Sequence, residues 1–380
     1  MKLYFFPLYL KKWFIIYHFE IMSYLIIIIL SIIILFAWLK IFSRLKVLDK
    51  PWNDLKNTRK SVPTMLGIFA FLWFFIIVLI LFPEYFSNNL LLWLLAWSLP
   101  IIILETLEEL SYIWKIKFKI HPIIRLLIHI LWWILAVYIW WIWIDQEILI
   151  WTWKRIMPQY IFVIFFIIWS IICINAINRF DWIYAQASWV STIWFLTIFL
   201  LIKFIVFTSY TVFKGNSLEI LTTTQNLAFI LFAISLISTL IEYKPLWLLR
   251  DIWIMFFGFS IAYLSVAWWA KIWTLLVALS LVIFDAIRVW FYRIFIMKKN
   301  PLKWDYTHLH HRLLWLWWTR REARASVWIR SIIMMVLMLL QWTDRLNKVI
   351  IFLIMALLFF WVNYYVFIVK KLPCWLSINK

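Results

Sequence analysis

The sequence predicts an all-α, polytopic membrane protein with ten to eleven transmembrane helices, and three observations carry that reading. Of 380 residues, 67% are apolar and 14% charged, against roughly 45–50% and about 25% in a soluble domain. Mean hydropathy is +0.95, which no water-soluble fold could hide and which excludes disorder. The apolar residues also gather in runs long enough to cross about 30 Å of hydrocarbon.

Taken in order, residues 1–20 are apolar but interrupted by Pro7 and by Lys11-Lys12. They read as an interfacial segment or a mis-called start, without the small-residue cleavage site of a signal peptide. The spans follow at 21–39, 64–82, 89–107, 123–144, 158–174, 187–213, 221–241, 254–267, 271–296, 327–341 and 348–369, most ending where Pro, Asn or a charged residue breaks the run. Together they form one integral-membrane domain over 21–370, with a tail at 371–380. Cys173 and Cys374 lie in or beside apolar segments and make no disulfide framework. Neither a 20–50-residue repeat nor a Walker or dinucleotide-binding loop is present.

Orientation follows from charge. The chain carries 37 Lys and Arg against 17 Asp and Glu. The loops 40–62, 105–125, 175–186, 242–252 and 288–330 and the tail from 370 hold 27 of the 37 basic residues. By the positive-inside rule these are cytoplasmic, so the protein is expected as a multi-pass protein of the cytoplasmic membrane with its N-terminus outside and its C-terminus inside.

The unusual polar residues gather on that same side. Glu105, Glu108 and Glu109 in ETLEEL share one helical face, where three carboxylates repel unless a cation sits among them; a solvated helix end neutralised by Lys115, Lys117 and Lys119 is the simple alternative. NAINRFDW supplies Asn175, Asn178 and Asp181, residue types that cap a helix or bind a ligand. Arg250-Asp251 reads by itself as an ordinary helix start. HLHHRLL places His308, His310, His311 and Arg312 together, a group suited to phosphate oxygens, with zinc as the rival ligand. Asp285 and Arg288, at i and i+3, are expected to pair. The loop LDKPWNDLKNTRKSVPTMLG adds Asp49, Arg59 and Lys60, which obey the positive-inside rule and attract anionic lipid.

Together these motifs resemble, over residues 45–325, the polyprenyl-phosphate N-acetylhexosamine-1-phosphate transferases. LDKP…RKSVPT…LG resembles the family's D-x-P…K-x-x-x-x-P-T-x-G-G opening. ETLEEL stands in the place of G-x-x-D-D, and NAINRFDWIYAQASW follows N-A-x-N-x-x-D-G-x-D-G-L-A-x-G. RDIWIMFFGFSIAYLSVAWWAKIWT follows G-D-x-G-S-x-x-x-G-F…G-G-x-K, and HLHHRLLWLWWTRREA resembles H-x-H-H-R-L-L-x-L-G-x-S. The last is the most specific match and resembles the N-acetylglucosamine-type branch more than the muramoyl-pentapeptide branch. Departures are Glu108-Glu109 for a pair of Asp, Tyr184 for the second Asp of D-G-x-D-G, Arg250 for a Gly, and Ser61 at a position often held by His.

The resemblance implies a Mg²⁺-dependent transfer of a sugar 1-phosphate from a UDP-sugar to undecaprenyl or another polyprenyl phosphate, releasing UMP. It implies that Asp251, Glu108 and Glu109 hold the metal, and that Glu108, Glu109, Asp181 and His308 are catalytic. Asn175, Asn178, Arg59, Lys60, His310, His311 and Arg312 would bind substrate. The expected partners are the UDP-sugar, the polyprenyl phosphate and the bilayer; nucleic acid is not among them, and a homodimer is left open. An inactive or altered-donor relative and a transporter are the alternatives. A transporter would carry its ionisable groups near the bilayer midplane, whereas these lie at span ends.

One feature of the composition is abnormal: 3 Gly and 32 Trp. Ordinary usage predicts about 27 Gly in this length, a deficit of about 24, and the Trp excess is about 28. Membrane helices normally use small residues where they pack closely. We expect most of these Trp to be Gly in the cell, through UGA codons that the organism reads as Gly. Trp182, Trp189, Trp253, Trp268, Trp269 and Trp317 stand where the family pattern has Gly, which is a second line of support; a Trp-rich protein with aromatic belts is the alternative. Peptide mass spectrometry of the native protein should find Gly at 182 and 189 in peptides spanning 180–190; Trp at both would refute the recoding.

Overall fold

In a computed structural model, residues 5–45, 48–49, 62–63, 66–113, 120–140, 159–181, 183–209, 216–244, 250–267, 280–298, 308–309, 314, 319–340, 350–351, 353–354 and 356–358 are described. Long apolar runs leave helix as the only way to satisfy the backbone inside hydrocarbon, and the described residues are almost wholly helical. The helices are α1 (Phe5–Leu45), α2 (Leu66–Leu81), α3 (Asn89–Ile113), α4 (Pro122–Trp140), α5 (Gln159–Arg179), α6 (Gln186–Ser209), α7 (Asn216–Tyr243), α8 (Arg250–Ala267), α9 (Ser280–Phe291) and α10 (Arg320–Leu340). A two-residue antiparallel pair joins β1 (Leu48–Asp49) to β2 (Val62–Pro63).

Four helical stretches among the described residues are long and apolar enough to cross a membrane: Ile21–Ile41, Asn89–Ser111, Gln186–Phe204 and Leu218–Tyr243. Shorter apolar helices run over Ile68–Leu81, Ile123–Leu135, Val163–Asn178 and Asp251–Val266. The described part of each of the first eight predicted spans falls on one helix; parts of the second, fourth, fifth and sixth and of the last three lie outside the described residues. Pro7 and Lys11-Lys12, which interrupt the apolar run, do not interrupt the helix: α1 is continuous from Phe5. Pro7 lies in its first turn, where a missing N–H has no partner to lose, and Lys is a good helix former.

The chain, read from sequence as one membrane domain, divides into two compact units, Met1–Ala267 and Trp268–Lys380. In the first unit, α5 and α8 cross so closely that a Cβ at Gly258 would lie 2.6 Å from Ile174 Cα and 3.0 Å from the Cys173 carbonyl oxygen. Further along the pair the contact continues, with Trp169 Nε1 donating to Ser265 Oγ at 2.7 Å. Position numbers rise on one helix as they fall on the other, so the two are antiparallel. The same test makes α3 antiparallel to α8, through Tyr263 OH donating to Leu90 O, and to α4, through Trp133 Nε1 donating to Trp97 O. An aromatic core joins the four helices: Trp97 against Phe166 at 4.7 Å, and Trp133 stacked on Phe259 at 5.6 Å.

α6 and α7 form an antiparallel pair seamed with hydroxyls, Ser188 Oγ donating to Glu242 Oε2 at 2.7 Å and Thr192 facing Thr239 at 3.3 Å. At the far end of α7 a polar clip ties three segments together: Gln225 Nε2 donates to Tyr24 OH, Tyr24 OH to Asn226 Oδ1, and Asn226 Nδ2 to Tyr85 OH. In the second unit, α10 starts with a capping box. Thr319 N–H donates to Glu322 Oε2 at 2.6 Å and Glu322 N–H donates to Thr319 Oγ1 at 3.2 Å. These bonds hold the Glu322 carboxyl below its usual range. The cap therefore contributes fully above the unfolded carboxylate pKa and fades as pH falls through the folded value.

Two backbone positions make opposite predictions. Gly258→Ala should destabilise by about 1–3 kcal/mol through overpacking. Ala185, at φ 62°, stands where the family pattern has the second Gly of D-G-x-D-G, and Ala185→Gly should stabilise by about 1 kcal/mol. Thermal unfolding in detergent checks both, the first lowering and the second raising the midpoint.

Candidate functional site: a polar end of the first unit

The antiparallel registers decide which helix ends meet. From Gly258 opposite Ile174, α8 runs back to Asp251 while α5 runs on to the turn at Phe180-Asp181. From Tyr263 beside Leu90, α3 runs on to Glu105 as α8 runs back to Asp251, and the Asp251 charge acts on Glu105. The C-terminal ends of α3 and α5 and the N-terminal ends of α4 and α8 therefore share one end of the unit. Ser188, near the start of α6, and Glu242, near the end of α7, lie at that end too, because α6 begins directly after the α5 turn.

Two of the three carboxylates of ETLEEL have a cation between them, the guanidinium of Arg125. Arg125 of α4 holds Glu105 through both carboxylate oxygens at 2.8 and 2.9 Å, and also holds Glu108. Glu105 is 2% exposed, Glu109 is buried, and Glu108 is half-buried. A buried carboxylate is tolerated only when paired and hydrogen-bonded, which is why the guanidinium, with its planar fork of donors, occupies this position. Lys115, Lys117 and Lys119 lie outside the described residues.

On α5, Asn175 is exposed and donates back to Ile171 O at 2.8 Å, and Asn178 is half-buried. The helix unwinds through two turns, Phe180 N–H to Ile177 O and Asp181 N–H to Asn178 O, then Gln186 N–H to Ile183 O. Asp181 is thereby held in the turn, half-buried. Asp251 is exposed in the first turn of α8, where a helix N-terminus favours negative charge. Trp253, two residues on, is fully buried against Phe256 and Phe257 with its indole N–H unpartnered. Trp189 is half-buried.

In the second unit His308 is buried beside Asp285, and Asp285 also makes the expected pair with Arg288 at 2.8 Å. Arg59, Lys60, His310, His311, Arg312 and Trp182 lie outside the described residues. Sequence reasoning passed over four participants: Arg125, the Ser188–Glu242 bond, Gln186, whose side-chain amide is buried without a partner, and the Asp285–His308 contact. A signal existed for two of them, since an Arg or Glu inside an apolar run needs a partner and marks a site by default.

Oxygen donors from two helices, Glu108 and Glu109 on α3 and Asp251 on α8, match the hard-ligand chemistry of Mg²⁺. No three acidic, imidazole or thiol groups converge on one point among the described residues. Mg²⁺ is ordinarily held by one or two carboxylates, with other oxygen ligands and waters completing its shell. No protein-family model and no curated protein matches the chain.

Arg125 gives the test of this geometry. Arg125→Met should destabilise by about 3 kcal/mol, the usual cost of leaving one buried charge unpaired. Adding Glu105→Gln should recover most of that loss in the same unfolding measurement. A double variant no more stable than the single one would show that the pair does not carry the site.

Proposed function

We propose that the chain transfers a sugar 1-phosphate, in the first place N-acetylglucosamine 1-phosphate, from a UDP-sugar to polyprenyl phosphate. UMP is released, and the reaction is the first membrane step of a cell-wall or surface polysaccharide. The observation that supports this most is the meeting of Glu108, Glu109, Asn175, Asn178, Asp181 and Asp251 at one end of the first unit, in the chain order that the resemblance requires. On this reading that end faces the cytoplasm, in keeping with the distribution of Lys and Arg.

The chemistry joins two anions, a lipid phosphate and the β-phosphorus of a nucleotide diphosphate. Asp251, Glu108 and Glu109 would hold Mg²⁺, which when bound neutralises charge on the diphosphate. Glu108 or Glu109 accepts the proton of the lipid phosphate. Asp181, Asn175 and Asn178 orient the nucleotide-sugar at the unwound end of α5. His310, His311 and Arg312 donate hydrogen bonds to phosphate oxygens, His308 acts beside them through its Nε2, and Arg59 and Lys60 attract the anionic substrates. Close passage of backbone beside a diphosphate favours Gly over Trp, and the unpartnered indole of buried Trp253 accords with Gly there.

The experiment is transfer of radiolabelled sugar phosphate from UDP-sugars to undecaprenyl phosphate in membranes, with and without Mg²⁺. The expected result is Mg²⁺-dependent product that Asp251→Asn abolishes and that Glu108→Gln and Glu109→Gln each lower by more than about tenfold, or ~1.4 kcal/mol of barrier. Absence of lipid-linked product from every UDP-hexosamine tried, or full activity of Asp251→Asn, would overturn the proposal.

A further inference from the structure

One carboxylate in the second unit does more than pair with its helical neighbour. Asp285, 2% exposed, takes donors from two separate segments. Arg288 donates to Oδ1 at 2.8 Å from the same helix. From the segment after α9, Leu309 N–H donates to Oδ1 at 3.0 Å, and His308 Nδ1 lies 2.9 Å from Oδ2. His308 and Leu309 are themselves buried.

We propose that Asp285 is a positioning residue that fixes His308 in its Nδ1-protonated tautomer and anchors the chain just ahead of His310, His311 and Arg312. An ionised carboxylate can only accept hydrogen bonds, so the ring nitrogen facing it must carry the proton. In the neutral ring the lone pair is then on Nε2, and that nitrogen can take a proton or a donor from a substrate. Arg288 matters because it balances the Asp285 charge while the imidazole is neutral, so the pair does not require a protonated ring. If the ring does gain a proton, the same carboxylate stabilises the imidazolium, which is how an orienting acid acts on a working histidine. The Leu309 N–H bond adds a second function, since the backbone beside His308 is held by the atom next to the one that holds its ring. The effect on turnover rests on the transferase reading, whereas the tautomer does not.

The test has two arms. The first is nitrogen NMR of the full-length protein, ¹⁵N-labelled at histidine and reconstituted in nanodiscs, with His308→Gln assigning the resonances. The expected spectrum shows a pyrrole-type Nδ1 and a pyridine-type Nε2 for neutral His308; the opposite pattern in the wild-type protein would overturn the inference without any variant. Asp285→Asn offers an amide N–H to Nδ1 and should move the ring toward the Nε2-protonated form, while Asp285→Glu should keep the original pattern. The second arm is the transfer assay, where Asp285→Asn should lower kcat at least tenfold with KM for the UDP-sugar within twofold, and Asp285→Glu should restore part of it. An unchanged tautomer together with unchanged kcat in folded Asp285→Asn would refute the role. Wild-type protein that shows the tautomer but transfers nothing would refute the transferase reading and leave Asp285 in its place.

Discussion

Contact between two helix backbones at Gly258 sets the register on which the first unit depends. A single methyl there would collide with main-chain atoms of Ile174 and Cys173, not with a side chain that could rotate away. The crossing therefore fixes how far α8 slides along α5, and with it how far Asp251 stands from the turn that holds Asp181. Packed interiors are bistable at best and do not deform continuously. Aromatic rings from α3, α4, α5 and α8 then fill the space on either side of this point. The polar end inherits its geometry from an apolar contact well away from it.

Charge compensation is the second constraint. The guanidinium of Arg125 serves two carboxylates from a neighbouring helix, and Asp285 serves three donors from two segments. In each case one side chain of exacting geometry holds several elements together, which suits a protein whose helices gain little from excluding water from each other. Hydroxyls play a milder part along α6 and α7, where several bond carbonyls of their own helix and so travel at low cost between them.

Helix positions were the most legible part of the sequence, because hydropathy is local and the apolar runs are long. What α1 does before residue 21 was less so: Pro7 signals a break only if it lies inside a helix, and here it lies in the first turn. At the site, electrostatics foretold that Glu105, Glu108 and Glu109 need a cation; Arg125, which pairs with Glu105 and Glu108, stands on the neighbouring helix, where no local pattern points to it. The Asp285–Arg288 pair could be read at i and i+3; the link from Asp285 to His308 spans 23 residues and no periodicity reports it. Ala185 carries a left-handed backbone that composition alone could not reveal.

The length of α1 has a mechanical consequence. Its 41 residues make a rod of about 62 Å at about 1.5 Å per residue, twice the hydrocarbon thickness of about 30 Å. A bilayer that takes up Ile21–Ile41 leaves some 24 Å of helix, residues 5–20, standing clear of the apolar core. Tyr24 is clipped to Gln225 and Asn226, at the end of α7 away from Glu242, so this arm projects on the face opposite the carboxylates.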